Sequence, residues 1–244
     1  MPYIISMILL IAAYVAVIPC MKHMENTRLW NSIFSVVIVL CYLFVVIRMY
    51  YSAGINDWNF LNTLPVANVS PFMFFSVMLI HLFPTKIKKH FYLLVSLLSV
   101  GMLASPILGC IYNASISYKF HLSFLSDYVA HIAISLWGVY IVKSGQATLS
   151  KRSVLISGGI IVSAAFVMLI LNVIFDTAFF GLSLNGKHNI YNNVLTKNSY
   201  LSAFLYFTGL ILVLGIGYLY SAFLSRKECC ESCHDEAIYE AKIK

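Results

Sequence analysis

Seven long apolar stretches, separated by short polar segments, make up most of this chain of 244 residues. Each stretch approaches the roughly 20 residues that an α-helix needs to cross a bilayer. The predicted spans cover residues 3–20, 30–50, 65–83, 91–112, 123–143, 154–182 and 200–224. The pattern therefore predicts an all-α polytopic membrane protein. A bundle of seven transmembrane helices would occupy residues 1–224, and a short Cys-rich tail residues 225–244.

Composition supports a membrane protein over a soluble one. The chain is 61% hydrophobic and 10% charged, whereas ordinary soluble domains are about 25% charged. A soluble fold would therefore have too few charges to cover its own core.

Most of the 16 Lys and Arg residues fall in one alternate set of loops and in the tail, and by the positive-inside rule this side faces the cytoplasm. We therefore predict a multi-pass protein of the cell membrane, with its N-terminus outside and its C-terminus cytoplasmic. The expected partners are membrane lipids and not nucleic acid, because the charge follows the loops. The basic residues on the predicted cytoplasmic side are Lys22, Arg28, Lys86, Lys88, Lys89, Lys143, Lys151, Arg152, Arg226, Lys227, Lys242 and Lys244.

Three of the predicted spans carry polar or ionisable side chains at a similar depth, near the predicted outer face. A transmembrane helix satisfies its own backbone, so a further polar group in hydrocarbon is costly and is usually kept for a function. On the fifth span, Asp127, His131 and Ser135 share one face by their spacing of four residues. The candidate site residues are Asn68, Ser70, Asp127, His131, Asn172 and Asp176.

This residue set favours nucleophilic chemistry. A carboxylate beside an imidazole fixes its tautomer and stabilises its protonated form, as a general base requires. His131 is the predicted base, Asp127 or Asp176 would orient it, and Ser70 is the nucleophile that it would activate. Asn68 and Asn172 are predicted to bind substrate, with no cofactor and no metal.

Structural interpretations stand beside these functional ones. Ser70 before Pro71 also fits a helix N-cap followed by proline at the first helical position. The alternative interpretation of His131 is a residue hydrogen-bonded to a neighbouring helix, and that of the asparagines is hydrogen bonding between helices. In the tail, Cys230 and Cys233 with His234 match a haem-attachment pattern, which a cytoplasmic location argues against, and form an incomplete zinc site.

Three segments resemble the YwaF-type bacterial membrane proteins and, more distantly, the animal transmembrane protein 164 family. They are residues 64–70, which begin Leu-Pro, residues 130–142 around His131, and residues 172–179. The resemblance implies a similar helix number and order. The animal proteins are regarded as lipid acyltransferases that use a Cys and a His, which implies His131 as the His. Ala67 and Val69 stand where the family has His and Cys, so Ser70 matches the nucleophile only if the register shifts by one.

Three functions follow from the residues and the resemblance. The first is a lipid acyltransferase or hydrolase that works at the outer leaflet. The second is a proton-linked small-molecule transporter or binding protein, built around the proline-interrupted third span and His131. The third is a non-catalytic membrane sensor or assembly factor that uses its cytoplasmic tail.

Overall fold

The computed structural model of the chain describes residues 2–57, 69–82, 84–115, 122–175, 182, 184 and 198–243. Side chains are described for residues 4–47, 72–80, 82, 84–108, 110–111, 125–175, 182, 184 and 198–225. The described residues contain α-helices, two short 3₁₀ helices and no strand. The predicted all-α class is therefore confirmed.

Seven α-helices follow one another along the described residues, and six of them are long and apolar enough to cross a membrane. A 3₁₀ helix, Met21–His23, follows the first, and a second one, Ile80–Leu82, follows the third. The helices are α1 (Pro2–Cys20), α2 (Thr27–Asp57), α3 (Val69–Leu79), α4 (Thr85–Ser115), α5 (Leu122–Lys143), α6 (Lys151–Phe175) and α7 (Ser199–Ile243).

The third predicted span differs most from a simple crossing. Its α-helix, α3, has 11 residues, which rise about 16 Å at 1.5 Å per residue. That is about half of the roughly 30 Å hydrocarbon core. The predicted break before Pro71 falls on residues 65–68, which lie outside the described residues.

Helix α5 lies at the centre of the bundle, where it packs against α1, α2, α4 and α7. Its Trp137 and Tyr140 are fully buried. Helices α1, α6 and α7 instead expose large aliphatic and aromatic side chains, such as Leu9, Phe166 and Leu219, as lipid-facing helices do. The helix that carries the polar residues Asp127, His131 and Ser135 is thus the one that other helices surround.

Small residues allow the central helices to approach closely. A Cβ atom added at Gly138 of α5 would lie 2.7 Å from Ser99 Cβ of α4. A Cβ atom at Gly217 of α7 would overlap the Leu97 carbonyl of α4. The Ser96 hydroxyl uses this proximity to donate a hydrogen bond of 3.2 Å to the Gly138 carbonyl. Small residues at helix contacts are typical of membrane bundles, because they maximise packing between backbones.

A buried polar cluster joins four segments at one end of the bundle. Asn31 Oδ1, near the start of α2, accepts a hydrogen bond of 2.8 Å from Trp137 Nε1. Asn31 Nδ2 donates to Gln146 Oε1, after α5, at 2.6 Å and lies 3.5 Å from the Tyr92 hydroxyl of α4. We call Asn31, Tyr92, Trp137 and Gln146 the Asn31 cluster.

The Asn31 cluster shows that α2 and α4 begin, and α5 ends, at the same end of the bundle. Helix α6 begins at this end as well, because Nδ1 of His90 on α4 lies 3.3 Å from Ser157 Oγ near the start of α6. The basic residues from Lys22 to Arg152 on the predicted cytoplasmic side are therefore gathered at this end. That it faces the cytoplasm stays a prediction. Helix α7 continues past the predicted boundary at residue 224, since its backbone is helical to Ile243.

Candidate functional site

His131 is a buried ionisable residue on the central helix, with 4% of its surface exposed. Its Nδ1 lies 2.8 Å from the backbone carbonyl oxygen of Asp127, one helical turn earlier. The same nitrogen lies 3.5 Å from the Asp127 carboxylate oxygen Oδ1. The predicted pairing of Asp127 with His131 is present, and the backbone carbonyl is the nearer of the two acceptors.

This geometry defines the protonation of the ring. A carbonyl oxygen can only accept a hydrogen bond, so Nδ1 must carry the proton that it donates. In a neutral imidazole the other nitrogen, Nε2, then holds the lone pair. His131 therefore presents Nε2 as its basic atom, and the Asp127 carboxylate is within ion-pair distance once the ring becomes protonated.

Phe74 of α3 forms one wall around His131. The two rings meet edge to face, with centroids 5.2 Å apart and an angle of 87° between their planes. Tyr42 of α2 packs against Phe74 in turn, with centroids 5.5 Å apart. An aromatic side chain of α3 therefore lies against His131, and an aromatic side chain of α2 lies against that of α3.

Ser70 is the second residue of α3. It precedes Phe74 by four residues, and residues four apart lie on one face of a helix. The backbone position of Ser70 is therefore on the same side of α3 as that of Phe74, whose ring contacts His131. The side chain of Ser70 is outside the described set, so its role as nucleophile stays a prediction.

A row of hydroxyl groups, on Ser135, Tyr14 and Tyr220, runs from the helix face that carries His131 toward α1 and α7. Ser135, one turn after His131, is completely buried and donates a hydrogen bond of 3.3 Å to the Tyr14 hydroxyl. The Tyr14 hydroxyl also pairs with that of Tyr220. Neither tyrosine was predicted from the sequence, because a single Tyr in an apolar helix does not indicate which neighbouring helix its side chain contacts.

A contact between α2 and α5, next to the Asp127–His131 pair, was also not predicted from the sequence. The Ser126 hydroxyl, beside Asp127, donates a hydrogen bond of 3.1 Å to the backbone carbonyl of Cys41. The Cys41 thiol lies within hydrogen-bonding reach of the same Ser126 side chain. This contact holds α2 against α5 next to the Asp127–His131 pair. Only the crossing of the two helices reveals it, because the residues are 85 positions apart.

The remaining candidates lie on other parts of the chain. Asn172, which is 2% exposed, donates a hydrogen bond from Nδ2 to the backbone carbonyl of Leu182, beyond the end of α6. It therefore ties Leu182 to α6, and its predicted role in substrate binding stays a prediction. Asn68 and Asp176 are outside the described residues.

No metal-binding constellation occurs in the part of the chain that the structure describes, where no three His, Cys, Asp or Glu side chains lie together. The side chains of Cys230, Cys233 and His234 are beyond that part. The arrangement around His131 is instead suited to proton transfer, because it combines a buried base of defined tautomer, a carboxylate beside it and the aromatic ring of Phe74.

Comparison with known proteins identifies the family. Nothing matched the chain among curated proteins or among solved structures. A family model, described as the TMEM164 family, matches residues 1–220. This range covers α1 to α6 and α7 as far as Tyr220, including the Asp127–His131 pair and all the candidate residues. The chain is therefore a multi-pass membrane protein that belongs to the TMEM164 family.

Proposed function

We propose that this protein cleaves or transfers acyl esters of membrane lipids in the cell membrane, with His131 as its general base. The observation that carries the proposal is the buried imidazole whose Nδ1–H donates to the Asp127 carbonyl at 2.8 Å. With the proton of a neutral ring on Nδ1, Nε2 is the nitrogen that carries the basic lone pair. An apolar, water-poor surrounding suits a substrate that enters from hydrocarbon, and it strengthens the electrostatic interactions on which proton transfer depends.

Ser70 is the proposed nucleophile. Its position one turn before Phe74, whose ring touches His131, supports this role. The Ser70 oxygen would attack the acyl carbonyl carbon while its proton passes to His131 Nε2. The bond between that carbon and the lipid alkoxy oxygen then breaks, and His131 returns the proton to the departing alcohol. The acyl group on Ser70 is finally transferred to an acceptor alcohol or to water.

Two further groups would stabilise charge during this reaction. Asp127, with its carboxylate oxygen 3.5 Å from Nδ1, would stabilise the imidazolium that forms. Backbone N–H groups in the first turn of α3 are available to the carbonyl oxygen as it becomes negative. Asp176 remains an alternative to Asp127 as the orienting carboxylate.

The test is mass-spectrometric profiling of lipids in cells that express matched amounts of wild type, His131→Ala, Ser70→Ala or His90→Ala. His90 is the control, because it is a partly buried histidine at the opposite end of the bundle, hydrogen-bonded to Ser157. Relative to cells that do not express the protein, we expect wild type and His90→Ala to change the amounts of the same acyl lipids. His131→Ala and Ser70→Ala should leave those amounts unchanged. Full activity in Ser70→Ala would remove Ser70 as the nucleophile.

Asp127→Asn separates the two acceptors on Asp127. The backbone carbonyl that orients the ring remains in this variant, and only the negative charge is lost. Activity should therefore fall less than in His131→Ala. Identical lipid profiles for wild type and His131→Ala, with both proteins folded and in the membrane, would refute the proposal and favour transport or sensing.

A further inference from the structure

Four cations lie together on the surface at the Asn31-cluster end of the bundle, far along α5 from His131. Lys86 and Lys89 are exposed in the first turns of α4, and Lys151 and Arg152 are exposed at the start of α6. We call these four residues the basic edge.

A side-chain contact brings together the first turns of α4 and α6, which carry the two halves of the basic edge. His90 of α4 pairs with Ser157 of α6 at 3.3 Å, so α4 and α6 touch just below the cations. Lys86 and Lys89 lie four residues and one residue before His90, and by helical spacing Lys86 shares its face. Asn31, in contrast, joins α2 to Tyr92, so the cations that precede α2 belong to a different flank.

The charge of the basic edge is not neutralised by the described part of the chain. Neither α4 nor α6 has an acidic residue in its first turn. Among the described residues, no carboxylate forms an ion pair with any of the four cations. Like charges gathered without a counter-charge repel one another, and an anion between them would relieve that repulsion.

Apolar side chains adjoin these cations on the same two helices. Ile87 of α4 is 49% exposed, and Leu155 and Ile156 of α6 are 76% and 42% exposed. The surface thus offers cations and exposed aliphatic side chains within the first two turns of the same two helices. That combination matches a phospholipid with an anionic headgroup.

We propose that the basic edge binds an anionic phospholipid, with the phosphate between α4 and α6 and the acyl chains along Ile87, Leu155 and Ile156. This site is separate from the proposed acyl-transfer site and does not depend on it. Each Lys or Arg near an anionic headgroup strengthens its binding about fivefold.

The test uses the full-length protein in detergent and measures lipid binding by native mass spectrometry. The probes are phosphatidylglycerol and phosphatidylcholine with identical acyl chains. The edge variant is Lys86→Gln/Arg152→Gln. The control variant, Lys22→Gln/Arg28→Gln, removes the same charge from the α1–α2 connection and the first turn of α2, at the same end.

We expect the edge variant to bind phosphatidylglycerol at least about tenfold more weakly than wild type, and the control variant to bind it as wild type does. All three should bind phosphatidylcholine equally. Equal losses in both variants, or no loss in the edge variant, would overturn the proposal.

A salt titration of the wild type provides a second test that needs no variant. At about 1 M salt the Debye length is about 3 Å, so phosphatidylglycerol should bind markedly more weakly while phosphatidylcholine is unaffected. Salt-independent binding of phosphatidylglycerol would also overturn the proposal.

Discussion

Replacing Asn31 with alanine should destabilise the protein strongly, because three other buried or half-buried groups depend on it. Asn31 makes two good hydrogen bonds, to Trp137 Nε1 at 2.8 Å and to Gln146 Oε1 at 2.6 Å. Each such bond contributes about 1 kcal/mol net. Trp137 is fully buried, so its orphaned N–H cannot reach water and costs about 1–3 kcal/mol more.

These contributions predict that Asn31→Ala lowers the free energy of unfolding by about 3–5 kcal/mol. The assay is equilibrium unfolding of the purified protein in mixed micelles, followed by tryptophan fluorescence or circular dichroism. Ser32→Ala is the control on the next residue of α2, because the Ser32 hydroxyl bonds the Arg28 carbonyl of its own helix. That control should change stability by less than about 0.5 kcal/mol.

A double-mutant cycle tests the cause and not only the size of the effect. Trp137→Phe keeps an aromatic ring but removes the N–H that Asn31 accepts. If the shared bond carries the effect, the two changes should be non-additive by about 0.5 kcal/mol or more. Additive changes, or an Asn31→Ala variant as stable as wild type, would refute the reasoning.

Two further predictions use neighbouring residues as matched pairs. Gly217→Ala should lower the free energy of unfolding by about 1–3 kcal/mol in the same assay, because its Cβ would overlap the Leu97 carbonyl. Gly215→Ala, with open space around it, should be close to neutral. Equal effects of the two changes would contradict the α4–α7 contact. Phe74→Leu should reduce any change in acyl lipids that depends on His131, because the Phe74 and His131 rings pack edge to face. Phe75→Leu, on the exposed side of α3, should preserve that change. Lipid profiles that are alike for both variants would contradict a role for Phe74 in the site.

The pairing of Asp127 with His131 could be predicted from the sequence. The spacing of Asp127 and His131 places them on one helix face wherever that helix packs, so their pairing is a local property. The aromatic wall is not local. Phe74 reaches His131 only because α3 and α5 meet, and a Phe at the next position points elsewhere with the same apolar character.

The choice of acceptor for His131 also depended on structure. The sequence suggested the Asp127 carboxylate, because side-chain pairs one turn apart often interact. The folded helix offers a nearer partner, the carbonyl of that same residue. Conversely, Asn172 looked like a candidate for binding substrate, whereas its amide donates to the Leu182 carbonyl.

The sequence by itself determined that this is an all-helical membrane protein, because a bilayer demands long apolar segments whose backbones satisfy themselves. It also determined which helices carry ionisable groups and where the cations cluster along the chain. Tertiary structure alone decided that α5 is central, that α4 and α6 bring the basic edge together, and that Asn31 holds Trp137 and Gln146. Those facts depend on which helix faces contact one another, and in nearly uniformly apolar helices the pattern of hydrophobic residues does not specify that choice.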